Sequence, residues 1–421
     1  MLLINKFESV KKLVFFCLIG VGCSSAYGQV KVSFKQPVVV AVASKPEKWG
    51  FFQFATIGEK QDGSVLAKWH MAADAVESYG TTSYGTAVSS DNGRSWIVKP
   101  DKEATGGFQL PNGDKLAIIT PKPLKPEEIK LPKSVGEGLD NYSKTPYVFY
   151  RYDDLPENGK GVHLKRLKKG ETEWKEEKAA LIDPNALRYT FKGLFPVVWW
   201  GDIRIAPDGS LIAGIYPGFY MDDNGVADPK SGVLFYRSTD NGHTWKIWGR
   251  LPYEPDLKLD PLGKDRMGFT EPAFEILQNG TFICVSRTTD GKGSGPMYIS
   301  SSKDMGKSWS KPEVFAPSGV LPKLLQLKNR VTILASGRPG VQLRFSKDPD
   351  GRKWSDPYEM LPLAGDVAEE QSGHTATISD GYTDLLPLGD DSFLLIYTDF
   401  AYKTASGEIR KAVKVREVTV K

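Results

Sequence analysis

An eight-residue pattern, Ser-x-Asp-x-Gly-x-Ser/Thr-Trp, occurs three times in this chain: SSDNGRSW at 89–96, STDNGHTW at 238–245 and SKDMGKSW at 302–309. A looser copy, SKDPDGRKW at 346–354, carries one extra residue. Self-similarity at intervals of tens of residues marks a repeat architecture. Each copy also has a mechanical reading. Asp bonds its own backbone in a tight turn and Gly tolerates positive φ there. The Ser/Thr hydroxyl ties the turn, and Trp anchors it in a sheet. The pattern therefore argues for fold and not for chemistry.

A second series runs in step with the first. Turn sequences flanked by apolar runs recur as QDGS around Gly63, PNGD around Gly113, PDGS around Gly209 and QNGT around Gly280, with weaker versions at 328–330 and 389–392. Asn-Gly and Asp-Gly between apolar runs are the strongest short-range hairpin signal. The octapeptides fall downstream of the first, third, fourth and fifth of these six hairpins, as a later turn of the same unit would. The expected fold is all-β, with six four-stranded blades arranged radially as a β-propeller. The strand around Val38 is expected to pair beside 412–420, closing the ring and hiding sheet edges. Pro121–Gly138, rich in Pro, Lys and Glu, reads as a surface loop. The charged stretch Gly159–Lys178 reads as an exposed hairpin and a solvated face.

A length of 421 residues would allow two or three domains. The evenly spread repeats argue for one ring over 29–421, with no linker dividing it. A net charge of +4 makes no case for nucleic acid, and ten Trp leave aromatics to spare for stacking sugars. At the N-terminus, Lys6, Lys11 and Lys12 precede the apolar run 13–21 and then small residues ending at Gly28. This is the order of a secretory signal over 1–28, cleaved before Gln29, which makes the protein secreted or periplasmic. Lipidation at Cys23 is the less favoured alternative. The apolar run is too short for a permanent transmembrane span. Cys17 and Cys23 lie in that segment, so the mature chain keeps Cys284 alone and forms no internal disulfide. Cys284 reads as a buried, inert thiol.

The octapeptides resemble the Asp boxes of the sialidase superfamily, whose fold is the six-bladed propeller. The stretch TEPAFEILQNGTFICVSR at 270–287 is similar to a sialidase segment and places Glu271 on the family's catalytic glutamate and Arg287 on a carboxylate-binding arginine. Ser336-Gly337-Arg338-Pro339-Gly340 is similar to the segment giving another such arginine. Gly381-Tyr382-Thr383-Asp384-Leu385 resembles the segment of the tyrosine nucleophile, Tyr382. Asp74 lies at about the family's distance before the first box for its acid/base aspartate. The resemblance implies hydrolysis at a terminal acidic sugar. Arg287 and Arg338 would grip a carboxylate by charge-assisted bonds. Glu271 would deprotonate Tyr382, and Asp74 would protonate the leaving oxygen.

One departure stands out. Gln53, in Trp49-Gly50-Phe51-Phe52-Gln53-Phe54, occupies the place of the family's first arginine, bringing hydrogen bonds to a carboxylate but no charge. The triad is incomplete unless Arg204 or Arg266 compensates. A uronate held by two arginines and an amide is compatible with this set. His70, close to Asp74, adds a base, so β-elimination at a terminal uronate is the alternative reaction, and a non-catalytic glycan-binding propeller a third reading. Of the adjacent Trp199 and Trp200, one is expected in the core and the other as a sugar platform. No metal-ligand spacing, phosphate loop or Ser-His-Asp signature is present, so no cofactor is expected. The expected partner is an acidic oligosaccharide or polysaccharide.

Overall fold

The computed structural model describes residues 30–74, 78, 83–101, 107–140, 144–195, 200–289, 295–361 and 382–421. Residues 1–28, read as a secretory signal, and Trp199 lie outside the described residues, as does the side chain of Trp200. Among the described residues no helix is long and apolar enough to cross a membrane.

Six blades stand around an axis, numbered here along the chain. Blade 1 is Gln53–Glu59, Val65–His70, Tyr84–Ser89 and Ile97–Val98. Blade 2 is Phe108–Gln109, Lys115–Ile118, Val162–Leu167 and Lys175–Ile182, and blade 3 is Trp200–Ile205, Leu211–Gly218, Gly232–Ser238 and Thr244–Leu251. Blade 4 is Thr270–Ile276, Phe282–Arg287, Met297–Ser302 and Glu313–Ala316, and blade 5 is Val320–Gln326, Thr332–Gly337, Val341–Ser346 and Tyr358–Leu361. Blade 6 takes Thr383–Pro387, Ser392–Lys403 and Ile409–Val420 from the C-terminal end and Val38–Val42 from the N-terminal end. Val38 pairs with Val415 and Val42 with Ala412, while Val32–Phe34 pairs with 418–420. The ring is thus closed by backbone hydrogen bonds between the two ends of the chain, which leaves this blade no free edge there.

All six sequence turns join the first and second strands of a blade, and all four octapeptides join the third and fourth. In the first box, Ser89 Oγ donates to Asp91 Oδ1 (2.8 Å) and accepts from Gly93 N (2.8 Å). Asp91 Oδ1 also accepts from the amides of Arg94 and Ser95, and Oδ2 from Ser95 Oγ (2.6 Å). The bonds of Ser302, Asp304 and Ser308 repeat this set. The box tryptophans reach backward around the ring. Trp309 of blade 4 stacks on Phe235 of blade 3 at 4.4 Å, and Trp354 of blade 5 meets Phe315 of blade 4 at 5.7 Å. Trp245 of blade 3 is buried with Leu116 and Leu164 of blade 2. Each box therefore shapes a turn and anchors its blade to the one before it.

Apolar clusters fill the seams between blades 2 and 3, 3 and 4, 4 and 5, 5 and 6, and 6 and 1. The seam between blades 1 and 2 is bridged by Lys115 Nζ donating to Glu59 O (2.9 Å), with Leu66 and Val88 buried beside it.

Two expectations need correction. The charged stretch 159–178 is not an accessory hairpin: it supplies the outer half of blade 2. Val162 and Leu164 are fully buried, while Lys165 and Glu176 pair at 3.0 Å on the outer side. Alternation hides its apolar half from a reading based on charge density. The stretch 121–138 runs as an irregular surface segment but ends in a strand, Gly136–Leu139. With Pro146–Arg151 and Leu187–Thr190 this strand forms a three-stranded side sheet. Phe149, Tyr189, Phe195 and Phe219 pack that sheet onto the loops of blade 3.

Candidate functional site

The hairpin turns and boxes occupy one axial face of the ring, so the remaining connections lie on the other. Those connections carry the candidate residues: 43–52 into blade 1, 71–74 within it, 338–340 within blade 5, and the entry to blade 6 at Tyr382.

The turn before blade 1 is tightly held. The wholly buried Lys411 donates to Lys48 O (2.7 Å) and Phe51 O (3.2 Å). Gln53 is wholly buried as well; its Oε1 accepts from Gly50 N, and its Nε2 has no partner among the described residues. Gly50, at φ +96°, lies so close to the following segment that a Cβ would sit 2.3 Å from Asp74 N and 2.4 Å from Ala72 O. Trp49 Nε1 then donates to Asp74 Oδ2 (3.0 Å), and His70 Nδ1 meets Gly50 O at 3.1 Å. A carbonyl only accepts, so Nδ1 carries a proton, and in the neutral imidazole the acceptor is Nε2.

Opposite this turn stand residues of blades 4 to 6. Glu271 Oε1 accepts from Arg287 Nη1 (2.8 Å), and Oε2 accepts from Leu321 N of the next blade (2.7 Å). Arg338 Nη2 donates to the Tyr382 hydroxyl (3.1 Å). The Arg338 guanidinium lies 5.1 Å from the Trp49 ring centroid, a cation–π distance. It is 7% exposed and has no carboxylate partner among the described residues, and its Nε is unbonded. Tyr382 packs 4.4 Å from Phe54 and 6.4 Å from Trp49. Burial pushes its phenol well above the usual range; Arg338 and Arg287 oppose that, while Glu271 and Asp74 add to it. Asp74, Glu271, Arg287 and Arg338 therefore each lie within electrostatic reach of Tyr382. Glu271 and Tyr382 share no direct hydrogen bond in this state.

Backbone strain concentrates here. Phe54 (φ 50°), Glu271 (φ 47°), Leu321 (φ 40°) and Arg338 (φ 48°) all sit in the left-handed region, which costs a non-glycine residue about 1–3 kcal/mol. Phe54, Glu271 and Leu321 occupy the same place at the start of blades 1, 4 and 5, each at an irregularity in the pairing of the first strand. A bulge of this kind locally re-aims the side chains it carries.

Neither arginine considered as a substitute for the missing one joins the pocket. Arg266 is buried on Asp260, with contacts at 2.7, 2.8 and 3.1 Å, and Tyr298 hydroxyl bonds the same carboxylate. Arg204 lies deeper along the axis, against Glu275 (3.2 Å) and Leu324 O (3.1 Å). Cys284 is buried in a blade strand, its thiol pushed up to about 12 by burial. Trp49, Phe54 and the Leu321 amide were not singled out from sequence. The Trp49-Gly50 pair at the entry to blade 1 was the available signal for the first; the amide left none.

No family model and no curated protein matches the sequence. Solved structures match the fold. A protein of unknown function from Dyadobacter fermentans superposes with a TM-score of 0.60 at 18% identity, over 92% of this chain and 99% of its own. A mutant of the NanB sialidase from Streptococcus pneumoniae gives 0.50 at 13% identity, over 91% of this chain and 70% of its own. A Penicillium chrysogenum alpha-L-arabinanase complexed with arabinobiose gives 0.50 at 14% identity, over 91% and 98%. At these identities the likeness defines the fold, a β-propeller of the kind on which glycosidases are built, and no more.

Proposed function

We propose that this chain is a carbohydrate-active enzyme that acts on a terminal, carboxylate-bearing sugar of a glycan by exo-hydrolysis in the sialidase manner. The observation that carries the reading is Arg338: a buried guanidinium bonded to the Tyr382 hydroxyl, with no carboxylate partner among the described residues. A buried cation without a counter-ion is costly, and an anionic ligand resolves it. Sialidase and arabinanase neighbours of the same fold support a glycan ligand.

In this reading the sugar carboxylate binds Arg338 and draws Arg287 off Glu271. The released carboxylate takes the Tyr382 proton as the phenolate oxygen attacks the anomeric carbon. Asp74 protonates the departing oxygen. Its carboxylate then takes a proton from the water that attacks the anomeric carbon, which restores Asp74, and the departing Tyr382 phenolate recovers its proton from Glu271. A neutral phenol suits an anionic sugar because it does not repel it, and the raised Tyr382 phenol stays neutral until Glu271 acts. Gln53 braces the turn that carries Trp49, and its buried Nε2 has no partner among the described residues.

One observation favours β-elimination as the second reading. His70 is held through Nδ1, so Nε2 is available to remove the proton alpha to a uronate carboxylate, while neutral Tyr382 assists the leaving oxygen. Product analysis on a panel of acidic oligosaccharides decides. Hydrolysis releases a saturated acidic monosaccharide, and elimination leaves an unsaturated uronate that absorbs at short ultraviolet wavelengths. Binding without either product would overturn both in favour of a glycan-binding propeller.

A further inference from the structure

Lys68, His70 and Tyr84 share one face of blade 1, with Tyr84 exposed and the other two partly buried. In Val65–His70, the residues Val65, Ala67 and Trp69 point into the seam with blade 6, so Lys68 and His70 point the other way, toward blade 2. The register pairs His70 with Tyr84, and the imidazole and phenol rings lie 6.1 Å apart. Lys68 Nζ sits 4.5 Å from the Tyr84 ring centroid. Tyr84 is 47% exposed, the side chain of a strand residue left bare to solvent. Among the described residues Lys68 makes no hydrogen bond and no salt bridge. Burial lowers its ammonium to about 8, opposed only by the more distant Asp384. Phe54 stands between this face and the pocket, its ring centroid 5.5 Å from His70 and 4.4 Å from Tyr382, so the two are adjacent.

An ammonium with no carboxylate partner among the described residues, beside an exposed aromatic ring, is a recognition pair for a charged sugar. The ring offers a stacking face and the cation a partner for an anionic substituent. We propose that Tyr84 and Lys68 form a second subsite, which takes the sugar next to the terminal acidic residue and selects one that is itself anionic. The substrate is then a polyanionic glycan and not a single acidic cap on a neutral chain. This rests on the reading of the Arg338–Tyr382 pocket as an acidic-sugar site.

The test compares a galacturonic acid tetrasaccharide, the same tetrasaccharide methyl-esterified at all but its non-reducing terminal residue, and a sulfated uronate oligosaccharide. Dissociation constants are measured by calorimetry and kcat/KM where turnover occurs. The wild-type chain is expected to prefer a charged neighbour, and whichever of the first and third binds tighter identifies carboxylate or sulfate as the anion. Lys68→Met is expected to reduce that preference about tenfold, while Lys68→Arg, which keeps the charge, retains most of it. Tyr84→Leu is expected to weaken all three ligands at least fivefold. Equal losses on charged and esterified ligands in Lys68→Met, or no charge preference in the wild type, would overturn the subsite. Turnover without a Lys68-dependent preference defeats the subsite and leaves the enzymatic reading standing. A Lys68-dependent preference without turnover does the reverse.

Discussion

Replacing Tyr382 by Phe separates a structural tyrosine from a reacting one, because the two predict losses of different size in different measurements. The ring contacts with Phe54 at 4.4 Å and Trp49 at 6.4 Å survive the change. The loss is one hydrogen bond, that from Arg338 Nη2 at 3.1 Å. Leaving a buried charged donor unpaired costs about 1.5–3 kcal/mol. The lower end applies because the guanidinium keeps the Trp49 ring at 5.1 Å. For a chain of this length that is a shift of a few degrees in melting temperature. If Tyr382 is the nucleophile, turnover falls by at least about 10³-fold, more than about 4 kcal/mol of barrier. Thermal melts and turnover on the best acidic oligosaccharide read the two terms separately. A folded Tyr382→Phe variant keeping a tenth or more of wild-type activity would refute the assignment, for hydrolysis and elimination alike.

Three further outcomes follow from the geometry. Gly50→Ala should disengage the Trp49–Asp74 hydrogen bond, since its Cβ would fall 2.3 Å from Asp74 N. Activity should drop at least tenfold, while anion affinity at Arg338, measured by calorimetry, changes little. In the first box, the Ser95 hydroxyl, then the Ser95 amide and the Ser89 hydroxyl, hold the Asp91 carboxyl at about 2 against an ordinary 3.8. A carboxyl depressed in the folded state stabilises above its unfolded value and loses that contribution as pH falls. Urea midpoints of Asp91→Asn should therefore decline less steeply than wild type between about pH 4 and 2, and parallel profiles would contradict the box network. Cys284, 1% exposed and with its thiol pushed up to about 12, should resist thiol reagents in the native state and label in step with global unfolding.

Much of the fold was legible because its signals are local. An Asp-Gly or Asn-Gly turn needs only its own residues to set a hairpin. The box carboxylate finds its amides within four residues, as Asp91 does with Arg94 and Ser95. Blade number, box placement and the pairing of the Val38 strand could all be read from such signals. At the site, a resemblance singled out Glu271, Arg287, Arg338, Tyr382 and Asp74 as candidates, but it said nothing of their bonding. Glu271 is committed to Arg287 and to an amide fifty residues away, Leu321 N. The left-handed backbone at Phe54, Glu271 and Arg338 leaves no mark in composition, since none is a glycine.

The sequence by itself determined that this chain forms a six-bladed ring, because turns and box anchors act within a few residues and repeat in register. Tertiary structure decided which charges remain uncompensated. Arg204 and Arg266 are satisfied by Glu275 and Asp260, whereas Arg338 and Lys68 have no carboxylate partner among the described residues. Coulomb energy depends on distances between residues on different blades, and those distances exist only once the N-terminal strand has closed the ring.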